Sequence, residues 1–199
     1  MPATPPRRRD AAATRKAILA SARKAFARAG YDGVGLREIA AEAGVTAMMI
    51  GRYFGSKDQL FAEVVADTMR DPVILSPGNL TAPDFASALT KAMVAVTAPG
   101  ATPLDGFLIL LHSASSARAA EIGREWISRG HQTTLEALVE GPLSVERAGL
   151  FLALVAGLQV IRQMIEIPSL AKADPAALEE LLRPIVRLLV EQQSAAATS

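Results

Sequence analysis

The chain has 199 residues, half of them apolar and 21% charged, enough to bury a real core in one domain or two small ones. It contains no cysteine, which excludes disulfides, thiolate metal sites and cysteine nucleophiles, and the default expectation is a cytoplasmic protein without cofactor or metal. The net charge of +1 hides a division, since residues 1–70 carry 12 Lys/Arg against 7 Asp/Glu and residues 71–199 carry 9 against 13; a basic N-terminal third suits a phosphate backbone, although ordinary solvated charge gives the same totals.

Apolar residues recur at spacings of three and four and nowhere alternate, which predicts helices throughout and an all-α fold. Residues 1–9, with Arg7, Arg8 and Arg9, read as a flexible basic arm that, with Arg15, either follows a DNA backbone or is a solvated tail. No apolar run follows these arginines, so no signal peptide is expected. The first helix is predicted from an Asp10 cap to Gly30, with Ile18, Leu19, Ala22, Ala25, Phe26 and Ala29 on one arc and Lys16, Arg23, Lys24 and Arg28 on the other.

Two short helices follow, at 36–43 and 47–53, then a longer one opening at Ser56, where Ser56 and Gln59 form a capping box. The pair has the residue types that a helix-turn-helix demands. A supporting helix crosses closely over a recognition helix, so the crossing point takes a small side chain, here Ala40. Ile39, Ala43, Val45, Ile50 and Phe54 supply buried contacts, with Ile50 and Phe54 one turn apart. The reversal within about four residues favours positive φ, which Gly44 accepts. Thr46 is placed to cap the recognition helix, whose first turn, Ala47 to Met49, then faces outward.

Pro72, Pro77, Gly78 and Pro83 mark residues 71–83 as a linker. The resulting division is a DNA-binding domain over 10–70, including its connecting helix, and a larger helical domain over 71–199. Beyond the linker, helices are predicted at 84–97, 104–117, 120–140, 144–167 and 175–193, the last opening on Asp174-Pro175. The tail from Ser194 to Ser199 reads as disordered. The stretch from Ala148 to Leu158 is apolar all round but shorter than the ~20 residues of a membrane span, so no transmembrane helix is expected. Such a helix needs cover on every side, supplied by its own domain alone or also by a second copy of the chain; the final helix offers Leu178, Leu181, Leu182, Ile185, Leu188 and Leu189.

Phe26, Gly30-Tyr31, Arg37-Glu38-Ile39-Ala40, Ala43-Gly44-Val45-Thr46, Tyr53-Phe54, Ser56-Lys57 and Leu60-Phe61 together resemble the N-terminal pattern of the TetR family of bacterial regulators. The resemblance covers roughly residues 14–61; residues 71–199 are assigned by helix count and length. It implies a transcriptional regulator, more commonly a repressor, that binds a palindromic operator in double-stranded DNA as a homodimer joined through its last two helices, and that a small-molecule effector releases. By position, Arg37 matches a supporting-helix residue that reaches DNA. Thr46, Ala47, Met48 and Met49 match the groove-entering turn, and Tyr53 and Lys57 match backbone contacts, with Arg52 beside them. This chain departs from the family at Gly51, where tyrosine is usual, and at Val34-Gly35, which replaces the usual threonine or serine cap. The reading face is apolar, so thymine methyls are the natural partners of Ala47, Met48 and Met49, with core packing of one methionine as the alternative. Candidate effector-lining residues are Phe107, His112, Trp126, His131, Phe151, Gln159, Arg162 and Met164, each of which could equally be core or surface. A mostly apolar effector is expected.

An enzyme is not expected, because the two histidines sit in no ligand spacing and no nucleophile triad or phosphate loop is present. The competing reading is a helical small-molecule carrier or adaptor without DNA binding, which the second domain alone would suggest.

Overall fold

The computed structural model describes residues 7–101, 104–139 and 141–191, with side chains described from residue 11. Among these residues every regular element is helical. They form two compact units, one of residues 1–70 and 104–126, the other of residues 71–103 and 127–199. Chain order divides the protein at the 71–83 linker; packing instead returns residues 104–126 to the N-terminal unit.

The first unit opens with helix α1, Arg7–Ala29. It begins three residues ahead of the expected Asp10 cap. The expected arm lies outside the described residues up to 6, and the side chains of Arg7, Arg8 and Arg9 are likewise outside them. Ile18, Ala22, Ala25 and Phe26 are fully buried, as the apolar arc requires, but Ala29 is exposed while Ser21 and Ala27 are buried. The burial of Ser21 is compensated, since its hydroxyl donates to the Ile39 carbonyl at 3.0 Å. Gly30 ends the helix at φ +69, and a Cβ there would stand 2.3 Å from the His112 carbonyl oxygen, so both conformation and space select glycine.

Helices α2 (Leu36–Glu42), α3 (Ala47–Phe54) and α4 (Lys57–Thr68) complete the N-terminal part. Phe26, Tyr31 and Phe61 meet beneath them, with the Phe61 ring edge-on to both others at 5.1 Å, a geometry that complements aromatic quadrupoles. The segment contributed from beyond the linker comprises α7 (Asp105–His112) and α8 (Ala117–Ile127), following α5 (Pro77–Leu80) and α6 (Phe85–Val96) of the other unit. A single helix expected over 104–117 is broken at Ser113 and Ser116, both buried, where Ser113 Oγ accepts the Tyr31 amide at 2.9 Å. A tertiary bond thus occupies the hydroxyl that interrupts the helix.

The second unit is built around Leu89, Met93, Phe151, Leu178, Leu182 and Val186. Its helical path runs through a π-helical turn at Ser128–Gln132 into α9 (Thr133–Glu136), then α10 (Ser144–Gln159), which passes into a second π-helical turn at Val160–Met164. Short α11 (Pro168–Ala171) and α12 (Pro175–Val190) follow. The tail expected over 194–199 lies outside the described residues. The continuous stretch Ser144–Met164, 21 residues, is long and apolar enough to cross a membrane by length and composition, beyond what the 148–158 run suggests. Two arginines on it are tied into the unit. Arg147 Nε donates to the Leu189 carbonyl at 3.0 Å, and Arg162 Nη1 donates to the Val94 carbonyl and Thr97 hydroxyl at 2.7 and 2.6 Å.

Candidate nucleic-acid interface

Ala40 and Ile39 are buried where α2 crosses α3, and Ile50 and Phe54 meet them from the inner face of α3. Small and large residues alternate across this crossing as close packing requires. The turn is closed by Gly44, at φ +68, and by the Val45 amide donating to the Ala40 carbonyl at 2.9 Å. No atom stands within 4 Å of where a Gly44 Cβ would be, so here conformation alone selects glycine. Gly35 takes the capping position of α2 with extended backbone. Thr46 takes that of α3, but its hydroxyl makes no capping bond, contrary to the role expected of it. Only its backbone starts the helix. Ser56, in contrast, caps α4 through its side chain, with the reciprocal bond from Gln59 completing the box at 3.1 and 2.9 Å.

The eight residues singled out on this motif share one neighbourhood across α2, α3 and the start of α4. Arg37, Thr46 and Arg52 are exposed, and Met48 is 85% exposed. Met49 is half-buried, and Ala47 and Tyr53 rest partly on the unit's core. Lys57 holds its ammonium 4.4 Å from the centre of the Tyr31 ring, a cation–π contact that restrains it without neutralising it. Arg15, expected to extend the basic arm, is instead engaged within the unit: it pairs with Glu63 and lies 4.8 Å over the Phe54 ring.

A network not anticipated from the sequence lies beside Lys57. The Tyr31 hydroxyl donates to Asp58, and Arg118 Nε donates to the other Asp58 oxygen at 2.7 Å. The Tyr31 hydroxyl is pushed up to about 12, first by burial and then by bonding to that carboxylate. Asp58 is correspondingly held below the usual aspartate value, by the Tyr31 hydroxyl and then by Arg118. The partner lies sixty residues away along the chain, so spacing carries no signal of it.

The effector-lining candidates are distributed differently. Phe107 and Trp126 belong to the first unit, and Phe151, Gln159, Arg162 and Met164 to the second. Phe151 is part of the second unit's core, and Arg162 is spent on carbonyls and a hydroxyl of its own unit. Gln159 is half-buried, while Trp126 and Met164 are exposed. His112 is exposed with Nδ1 2.7 Å from the Ala27 carbonyl, and His131 is half-buried in the first π-helical turn.

A short helix with an outward reading face, locked by a small-residue crossing and a positive-φ turn onto an aromatic core, defines an all-helical protein of the helix-turn-helix class. The chain belongs to the tetR family of bacterial regulatory proteins: that family's model matches residues 18–64, and the model of the tetracyclin repressor-like C-terminal domain matches residues 84–190. An HTH-type transcriptional repressor of Streptomyces coelicolor is 41% identical over 69 residues, a match that spans 35% of this chain and only 36% of that protein. Among solved structures, NalD, the secondary repressor of the MexAB-OprM multidrug efflux pump in Pseudomonas aeruginosa, superposes with a TM-score of 0.60 at 23% identity, covering 89% of this chain and 96% of NalD. The multidrug binding protein EbrR, complexed with proflavin, superposes with a TM-score of 0.55 at 19% identity, covering 89% and 99%. At these identities the two structures establish the shared fold.

Proposed function

We propose that this regulator is a repressor that binds a palindromic operator in double-stranded DNA as a homodimer and is released by a small-molecule effector. The observation that carries the reading is the outward face of α2 and α3, where Arg37, Thr46, Met48 and Arg52 stand exposed above a crossing that buries Ile39, Ala40, Ile50 and Phe54. In this reading Ala47, Met48 and Met49 meet base edges, chiefly thymine methyls. Arg37 and the uncommitted Thr46 hydroxyl supply hydrogen bonds, and Arg52, Tyr53 and Lys57 meet the DNA backbone.

Dimerisation is supported by apolar side chains left exposed on the helices in question: Leu150 on α10, and Leu181, Ile185 and Leu188 along one side of α12. Two recognition helices about 34 to 36 Å apart would then reach successive major grooves. Release by an apolar effector rests on the family and on the printed description of EbrR with proflavin; the lining residues proposed are Phe107, Trp126, Phe151, Gln159, Arg162 and Met164. The site of action is the cytoplasm, and no catalytic step is involved. A mobility-shift assay with the DNA flanking the chain's own gene tests the reading. A discrete shift at low salt, reversed by unlabelled specific DNA, is expected; no shift by a folded dimer would overturn it in favour of a carrier or adaptor.

A further inference from the structure

Helix α4 opens on two side chains of opposite sign, Lys57 and Asp58. A carboxylate on the first helical turn is favoured by the helix dipole, which keeps it ionised. Next to a cation meant for a phosphate, however, that charge works against DNA. It repels phosphates lying within a Debye length, about 8 to 10 Å, and competes for the neighbouring ammonium. The structure commits Asp58 elsewhere: one oxygen accepts from the Tyr31 hydroxyl and the other from Arg118 Nε at 2.7 Å, while Lys57 stays over the Tyr31 ring at 4.4 Å. Arg118 is carried by α8, and it also donates through Nη1 to Glu121 at 2.6 Å. All these residues lie within the first compact unit.

We infer that Arg118 is a positioning residue for DNA binding: by holding and neutralising Asp58, it keeps Lys57 on the Tyr31 ring and available to a phosphate. The inference rests on the backbone role proposed above for Lys57. The depressed titration of Asp58 is in keeping with it, since the carboxylate stays charged throughout the working range of pH and needs a partner. Arg118 and Asp58 are both partly exposed, so their ion pair contributes little to folding and its removal leaves the unit intact.

The test uses the full-length protein and the flanking DNA fragment, measuring Kd against salt for single and paired variants, with thermal melts run alongside. Lys57→Ala is expected to weaken binding and make the log-log salt slope shallower by roughly 0.9. Arg118→Gln is expected to weaken binding about three- to tenfold at low salt. Adding Asp58→Asn to Arg118→Gln should restore affinity to within about twofold of the parent, because the carboxylate that needed neutralising is gone. In the Lys57→Ala background, Arg118→Gln should add less than about twofold. Arg118→Lys keeps the charge, is the gentler variant should Arg118→Gln fail to fold, and should bind within about threefold of the parent. An unchanged Kd for Arg118→Gln beside a weakened Lys57→Ala overturns the inference and leaves the Lys57 reading standing. Failure of Asp58→Asn to restore binding also overturns it, since Arg118 would then act on DNA directly. No effect of Lys57→Ala would sink the Lys57 reading and the inference with it.

Discussion

Gly51 sits in the middle of the recognition helix, and no atom lies within 4 Å of where its Cβ would be. Neither packing nor turn geometry asks for glycine here, which distinguishes it from Gly30 and Gly44. Gly51→Ala should therefore stabilise the protein by about 1 kcal/mol through helix propensity. Urea denaturation reads this directly, and an unchanged or lowered midpoint would mean that the helix is restrained in a way the packing does not reveal. His131 offers a pH test. Burial pushes its imidazole below the ordinary 6.5. The unfolded chain then takes up the proton first as pH falls, so the His131 contribution is complete above that ordinary value and is lost on acidification from there toward the folded value. His131→Gln should flatten the fall in stability between about pH 7 and pH 5; parallel curves for variant and parent would exclude the histidine as a source. The sequence shows a histidine at 131, but its titration depends on what covers it.

Helix ends separate what is local from what is not. The capping box at Ser56 and Gln59 was readable because donor and acceptor lie three residues apart, and so was the Gly44 turn. Two C-termini in the second unit have a different solution. The end of α6 is met by Arg162, through the Val94 carbonyl and the Thr97 hydroxyl, and by Gln163, whose Nε2 donates to the Val96 and Ala98 carbonyls at 3.2 and 3.0 Å. The end of α12, which lacks a glycine cap, is met by Arg147 through the carbonyls of Leu189 and Glu191. Cationic donors suit the negative end of a helix dipole and satisfy carbonyls that would otherwise be orphaned. Arg162 also bonds the Leu170 carbonyl at 3.2 Å, so a residue that reads as an effector contact in the sequence carries three structural attachments. Arg162→Leu should cost about 3 kcal/mol by leaving these acceptors unpaired, measured as a drop in the urea midpoint without ligand; a shift below about 0.5 kcal/mol, the range of an ordinary surface substitution, would show that the attachments are dispensable.

For the whole molecule, the exposed leucines of α12 carry the test of assembly. Leu181 is 69% exposed, so Leu181→Glu leaves the second unit's own core untouched while placing a charge on the proposed dimer face. Sedimentation equilibrium should show a shift from dimer to monomer at micromolar concentration, with operator affinity reduced about tenfold or more as the second half-site is lost. A variant that remains dimeric would move the interface off this face.

The residue pattern by itself determined the helical class, the Ala40–Gly44–Ile50–Phe54 crossing, the α4 cap and the placement of eight residues on one outward face. Each of these depends on spacings of one to four residues or on a single glycine, and local geometry is written at that range. Tertiary structure decided that residues 104–126 pack with the N-terminal unit, that Ser113 meets Tyr31 and Arg118 meets Asp58, that Thr46 leaves its hydroxyl uncapped, and that Arg162 serves a helix end. These depend on which distant surfaces pack together, and no periodicity along the chain encodes that.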